Sequence, residues 1–574
     1  MKVLELLLVT DNKLYLCAMF VRTKQQVNGK VTLLIVENVR ASGKVCQKIL
    51  RRVATVLPEE VESFKVLAEH IRSQMEVERE PNLFAVPTLA EMVISSRKRS
   101  ERDDSPLPVN MRKLREESRI VSGIHDVYGR LYDEIGYSKV FKPCPVSSSV
   151  MKDIVMSRLA KASSKRSSAE LLERDFGIPI ALEKIYRMMD TLTESRISRL
   201  QDIAWSHSRR LLTEEVNLLF YDCTTLYFES FTEDELRSFG YSKDHKFNQG
   251  QVLLALMVTK EGLPVGYEVF PGNMYEGDTF MHAIEKIKKR YQVKRAVVVA
   301  DSGLLSKPNI ELLEKENYEF ILGARLRGLS EKWQDRILDN TDYEKIEKDS
   351  DVLRITTYDY TKTRRLIVSH STKRADKDRR DREKALTTLQ TKLEKSKNPK
   401  SLISSYDYKK YLKMEGDVNV RINEEKLERE ALWDGLHGIF TNISDKEMNA
   451  ATILNQYHGL WQVEESFRIT KHDLRVRPVF HWSAKRIRAH IAICFVAFSL
   501  IRFLQHRIKS ETGEGFSAER IREELYRVQE SIVRDITNNN KYVIPSKTSL
   551  DALKLYDAMS IKRNVVPFKL TAEV

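Results

Sequence analysis

Asp222 follows the run LLFY and Asp301 follows VVVA, so two carboxylates stand where apolar strands are expected to end. An ionised carboxylate at such a place is costly to bury alone, and a cation is its usual partner. Much further along, YHGLWQVEESFRITKHDL (residues 457–474) sets Glu464 in an aromatic and basic stretch. At about 100° per residue, Tyr457, Leu460, Trp461, Glu464, Arg468 and Lys471 share one stripe of a single helix, with Glu465 rotated away. Three acids from separate segments, Asp222, Asp301 and Glu464, suffice to hold two Mg²⁺ ions about 3.5–4 Å apart, because phosphate and water fill the remaining positions. Ions so placed ready a water or a sugar hydroxyl for in-line attack on a phosphodiester and offset charge on the leaving oxygen. The nearby cations and Tyr457 would grip adjacent phosphates. A plainer reading exists for each: a strand-end aspartate that caps a turn, and a Glu464–Arg468 surface pair worth a few tenths of a kcal/mol.

The elements that must position these acids follow from pattern. NLLFYDCTTLYF (217–228) reads as a strand, and QVLLALMVTKEGLPVGYEVF (251–270) as two strands about a Lys260-Glu261-Gly262 turn. A helix over about 278–291 leads to RAVVVADSG (295–303), a buried strand of the continuous apolar kind. A short helix near 308–316 and the strand YEFILGAR (318–325) complete an α/β core. Residues 326–450 interrupt it with a β-hairpin (351–371), a highly charged helix beginning TKRADKDRRDREK and a returning strand in ALWDGLHGIFTNI. The apolar run IAICFVAFSLI (491–501) is about half a membrane span and reads as a buried helix.

Upstream, residues 1–60 read as strands with an Asn28-Gly29 hairpin turn. Residues 95–118 are charged, carry two prolines and read as a linker. From 120 to 213 the pattern is helical. There Ser167 stands three residues ahead of Glu170 in capping-box spacing, and a Gly177/Pro179 break precedes a second amphipathic helix. With Lys161, Lys165 and Arg166 before it, this pair of helices reads as a helix-turn-helix that binds DNA or as a plain hairpin with a solvated basic edge. The boundaries drawn are 1–118, 119–213, 214–325, 326–450, 451–506 and a helical 507–574.

The 96 Lys+Arg against 82 Asp+Glu give the 574 residues a charge of +14, which favours a polyanionic partner, nucleic acid above all. Five cysteines (Cys17, Cys46, Cys144, Cys223 and Cys494) form no CxxC pair, so neither a zinc site nor a disulfide framework is expected and a reducing compartment is. The first residues lack the pattern of a cleaved signal, and a cytoplasmic location is the expectation.

On these residues the chain resembles bacterial insertion-sequence transposases of the DDE class, in the branch with the signature Y-x2-R-x3-E-x6-K. Tyr457, Glu464 and Lys471 fall on that spacing; Leu460 holds the arginine position, and Arg468 is the substitute suggested by its place one turn on. RVRPVFHWSAKRIRAHIAICFVAFSL also looks like the segment that follows the signature, and FPGNMYEGDT like the turn that would bring Asn273 and Glu276 near the site. The resemblance covers roughly 215–505 and implies a ribonuclease-H-like mixed sheet flanked by helices, interrupted by a β-rich insertion. It further implies Asp222, Asp301 and Glu464 as catalytic metal ligands for Mg²⁺ or Mn²⁺, and Tyr457, Arg468 and Lys471 against DNA. The expected partners are double-stranded transposon ends and target DNA, engaged by a nucleoid-associated homodimer on paired ends. A stand-alone nuclease on the same core and a regulator without catalysis remain the alternatives, since similar cores host many functions.

Overall fold

In the computed structural model the described residues are 19–571 except 27–28, 42–43, 80–86, 101–106, 108, 143, 213–217, 229–232, 241–248, 275–278, 281, 284, 287–289, 291–296, 302–306, 340–342, 349–350, 396–411, 416–418 and 478. Strands β1 (Met19–Gln25), β2 (Val31–Ala41) and β3 (Lys44–Val56) form an antiparallel sheet covered by α1 (Val61–Arg79). Gly29 turns the first hairpin at φ +77, a left-handed backbone that glycine adopts without cost; Asn28 lies outside the described residues.

The segment read as a linker is structured at both ends. Helix α2 (Leu89–Ser100) lies over a terminal sheet to which β4 (Leu114–Val121) contributes. Its charged residues hid it. In LREESRIV the acids and arginines face outward, and the pairing partner lies some four hundred residues away in sequence. Helices α3 (Gly123–Ile135), α4 (Pro145–Ala160), α5 (Lys165–Phe176), α6 (Leu182–Thr191) and α7 (Glu194–Leu211) follow. The N-cap of α5 is Ser164, whose hydroxyl accepts from the Ser167 N–H at 3.2 Å, so Ser167 lies inside the helix instead of capping it. Gly177 ends α5 at φ +66. Lys165, expected on the basic edge, is buried with its Nζ 3.2 Å from His490 Nδ1, which leaves Lys161 and Arg166 exposed there.

The core sheet begins with β5 (Leu218–Tyr227), β6 (Gln251–Thr259) and β7 (Pro264–Pro271) in an antiparallel meander, with Gly262 at φ +75 in the expected turn. The described residues between 279 and 290 are helical. Strands β8 (Val297–Ala300) and β9 (Glu319–Ala324), joined by α8 (Lys307–Lys315), pair parallel to β5 in the order β7-β6-β5-β8-β9. This mixed α/β order, three antiparallel strands and then two parallel ones, is that of a ribonuclease-H-like core.

The interruption does not stand off as a separate body. After α9 (Glu331–Leu338), β10 (Glu344–Lys348), β11 (Asp351–Asp359) and β12 (Arg365–Ser371) join the same sheet through β15 (Leu436–Thr441), which pairs with β9 and makes it nine-stranded. Between β12 and β15 come the charged helix α10 (Thr372–Lys395), a small ribbon of β13 (Leu412–Glu415) and β14 (Asn419–Ile422), and α11 (Glu424–Ala431).

Helices α12 (Ala450–His458) and α13 (Trp461–Arg468), a π-helical turn over Ile469–Asp473 and the long α14 (Ala484–Thr512) pack on one face of the core sheet. The apolar run inside α14 is buried, as its composition suggests. The C-terminal region is not wholly helical. Beside α15 (Ala518–Arg527) and α16 (Leu550–Ala558) it supplies β16 (Gln529–Asp535), β17 (Lys541–Pro545) and β18 (Phe568–Leu570), which form a sheet in the order β18-β17-β16-β4. Short strands such as KYVIP carry too little periodicity to declare themselves, and only pairing with β4 fixes them.

Candidate active site

β5 and β8 run parallel with Leu218 beside Val297, Leu219 beside Val298 and Phe220 beside Val299. Carried two residues further, that register sets Asp222 beside Asp301 on neighbouring strands, which lie about 4.8 Å apart in any sheet. Side chains alternate between faces. Phe220 and Val299 belong to the core under α12–α14, whereas Tyr221 and Ala300 belong to the opposite one. Asp222 and Asp301 therefore project toward α12 and α13. Asp222 is half-buried and accepts its neighbour Cys223's N–H at 2.8 Å; Asp301, one residue past β8, is exposed. Both sit at the edge where parallel strands end and ligands can approach.

The signature does not lie on one straight helix. Tyr457 belongs to α12, Glu464 and Arg468 to α13, and Lys471 to the π turn. The joint at Gly459-Leu460 is tight: the Leu460 N–H reaches the Tyr457 carbonyl at 3.0 Å and the Val463 N–H reaches that of Leu460 at 3.0 Å. Close packing forces the glycine. A Cβ at Gly459 would stand 2.7 Å from Phe220 Cζ, so the joint rests directly on β5, two residues before Asp222. Leu460, at the arginine position, is buried, so no cation reaches the site from there.

Of the stripe residues, Tyr457 points inward and Glu464 outward. The Tyr457 O–H donates to Asp301 Oδ1 at 3.4 Å, and its ring packs against His437 at 5.0 Å between centroids, tilted by 46°. Burial, and then the negative charge of Asp301, push the tyrosine well above its ordinary pKa, with Glu464 adding a smaller push; it stays protonated and can serve as a donor. His437 is driven down to about 4 by burial, with Arg374 adding to the shift and Asp301 opposing it, so its ring is neutral near pH 7. Glu464 is exposed on α13. Arg468 pairs with Glu465 across i,i+3, its Nε 2.7 Å from Oε2, instead of with Glu464 as the stripe suggested. The Lys471 Nζ lies 5.5 Å from the Phe467 ring centroid. Asn273 lies in the turn after β7, whereas Glu276 falls outside the described residues.

Two residues that pattern reading passed over hold this frame. Arg502 on α14 donates to the carbonyls of Gly262 (2.8 Å) and Glu261 (3.2 Å) and to Gln462 Oε1 (2.7 Å), tying α13 to the β6–β7 turn. Arg158 on α4 donates to the Leu474 carbonyl (2.7 Å) and to that of Ser163 (2.8 Å), fixing the chain just after the π turn. An arginine set among apolar neighbours in a helix is the signal that would have found either.

Among the described residues no group of three or more His, Cys, Asp or Glu side chains is close enough to hold an ion. The donor set nevertheless suits a hard divalent cation: carboxylate oxygens only, two brought side by side by strand register, and a third on the helix that packs across β5 and β6.

Residues 217–500 match the family described as the transposase DDE domain. Among solved structures, the chain is similar to a piggyBac transposase synaptic complex with hairpin DNA, at 11% identity over 70% of this chain and 76% of that one, with a TM-score of 0.36. It is also similar to the Mos1 transposase paired-end complex with the left transposon end, at 15% identity over 46% of this chain and 76% of that one, with a TM-score of 0.14. No curated protein matches it. The span of the family match takes in β5, β8, α12, α13 and most of α14, and with them Asp222, Asp301 and Glu464.

Proposed function

We propose that the protein is a DNA transposase that binds the ends of an insertion sequence, cleaves strands there with divalent metal, and joins the freed 3′-hydroxyl to target DNA. The observation that carries this reading is the parallel β5–β8 register, which puts Asp222 beside Asp301 on the face covered by the Glu464 helix. Asp222, Asp301 and Glu464 would hold Mg²⁺ or Mn²⁺, two ions per site; so bound, the metal readies a water or a 3′-hydroxyl for in-line attack and offsets charge on the leaving oxygen. Tyr457 keeps its proton, orients the Asp301 carboxylate and shields that side from water. Arg468 would have to part from Glu465 to meet DNA, so phosphate contact falls to Lys471. The helical region over 119–213 reads the DNA ends, and two copies act on paired ends.

The test is strand nicking of a labelled duplex carrying the element end. The wild type is expected to nick only with Mg²⁺ or Mn²⁺, while Asp301→Asn and Glu464→Gln bind the duplex and leave it intact. Joining of a pre-cut 3′-hydroxyl end separates a transposase from a nuclease. Cutting by Asp301→Asn at the wild-type rate would refute the assignment.

A further inference from the structure

Beside the acids lies a cavity of about 660 Å³, between the C-terminal end of β9 with the N-terminal end of β15 on one side and α10 with α11 on the other. Asp301 and His437 line it, so it opens onto one of the three proposed catalytic carboxylates. Four arginines reach it, and two of them are engaged: Arg382 pairs with Asp434, and Arg327 pairs with Glu430 at 2.7 Å. The other two are not held in this way. Arg374, half-exposed near the start of α10, has its closest carboxylate, Asp378, at 3.9 Å, and that carboxylate already accepts the Gly435 N–H at 3.0 Å. Arg325, exposed just past β9, makes no ion pair among the described residues. Arg374 also lies within electrostatic reach of His437 and of Tyr457, whose hydroxyl donates to Asp301.

A guanidinium with spare donors matches the oxygens of a phosphodiester, and two of them beside a metal-binding carboxylate define where a strand can run. Asp378 and Asp381 also line the cavity and disfavour a more highly charged free anion there. We propose that Arg374 and Arg325 bind one phosphodiester of the DNA strand where it passes from the three acids into this cavity, so that the inserted helix α10 supplies a backbone contact for the substrate. This rests on the reading of the chain as a DNA-cutting enzyme.

The salt dependence of duplex binding tests it, on the element end and on an unrelated duplex. Each released phosphate contact lowers the slope of log affinity against log salt by about one. Arg374→Ala and Arg325→Ala are each expected to lose part of that amount and the double variant all of it, with Arg374→Lys regaining what Arg374→Ala loses. Loss on the end duplex alone assigns the contact to the element end; loss on both assigns it to any strand in the groove. A single uncharged methylphosphonate linkage next to the cleavage site is expected to weaken wild-type binding about tenfold, Arg374→Ala binding less, and binding by the Arg374→Ala/Arg325→Ala double variant not at all. Unchanged slopes for both alanine variants and their combination on both duplexes overturn the proposal, as does an equal methylphosphonate penalty in wild type and the double variant. The slope is read whether or not the protein cuts. Intact nicking with unchanged slopes sinks the cavity assignment alone, whereas lost slopes without metal-dependent nicking sink the catalytic reading alone.

Discussion

Replacing Gly459 with alanine tests whether the seat of α13 on β5 sets the reach of Glu464. The substitution favours helix by about 1 kcal/mol in an unconstrained setting. Here the new Cβ would meet Phe220 Cζ at 2.7 Å and the Gln456 carbonyl oxygen at 2.9 Å. Carbon atoms pack at about 3.5–4.0 Å, so the helix must lift by about 1 Å or the buried Phe220 ring must move. Overpacking of this kind costs about 1–3 kcal/mol, which cancels the helix preference or exceeds it by up to about 2 kcal/mol. The effect on catalysis is larger than that on folding, because a displacement of about 1 Å at a catalytic group costs about 10²-fold in rate. Thermal melting and the rate of metal-dependent nicking should therefore part company: a loss of a few degrees or less, against a hundredfold loss of cutting. Adding Phe220→Leu, which removes the obstructing ring atom at some cost in stability, should restore part of the rate. If Gly459→Ala cuts at the wild-type rate with an unchanged melt, the contact does not position Glu464 and the reasoning is wrong.

Two other perturbations have clear signs. His207, packed on Phe503 at 4.5 Å, and His437 are both driven down to about 4, chiefly by burial, so the unfolded chain binds protons that the folded chain does not. Their contribution is complete above about 6.5 and is lost as pH falls from there towards about 4; denaturant titrations at pH 7, 5.5 and 4.5 should show stability falling in that order, and a flat profile would contradict the burial of both rings. Arg158→Ala leaves the carbonyls of Leu474 and Ser163 without their donor, and bonds from a charged group are worth about 1.5–3 kcal/mol each. It should lower the melting temperature and raise hydrogen exchange around residues 474–476, and Arg158→Lys, lacking the fork, should recover only part.

The acids were legible because each announces itself locally, as an aspartate after a continuous apolar strand and as a glutamate among aromatic and basic residues. The core strands were legible for the same reason: FILGA and VVVA are too apolar to lie anywhere but inside. What failed is non-local. Nothing in LREESRIV names QESIVRD as its partner, so β4 looked like linker and β16 like part of a helical tail. The single stripe from Tyr457 to Lys471 assumed 3.6 residues per turn throughout. Phe220 under Gly459 and the π turn after Arg468 break that period, and within the helix between them Arg468 pairs with Glu465 one turn back instead of with Glu464. Lys165 failed as a surface cation because its burial depends on His490, a residue on a distant helix.

The helix that carries Glu464 is secured at three points by groups outside it. Gly459 sits on Phe220 at its start, Gln462 is held by Arg502 within it, and the Leu474 carbonyl is held by Arg158 beyond its end. Each tie leads to a different element: β5, the β6–β7 turn through α14, and α4 of the region proposed to read DNA. A helix tied at both ends and in the middle does not slide as a body to bring its carboxylate to Asp222 and Asp301. The freedom left is that of the exposed Glu464 side chain, and turning about its own bonds costs little beside moving a packed helix. If the helical region binds a DNA end as proposed, the Arg158 contact ties that region directly to the far end of the Glu464 helix. Loosening that contact should therefore slow cutting more than it weakens DNA binding.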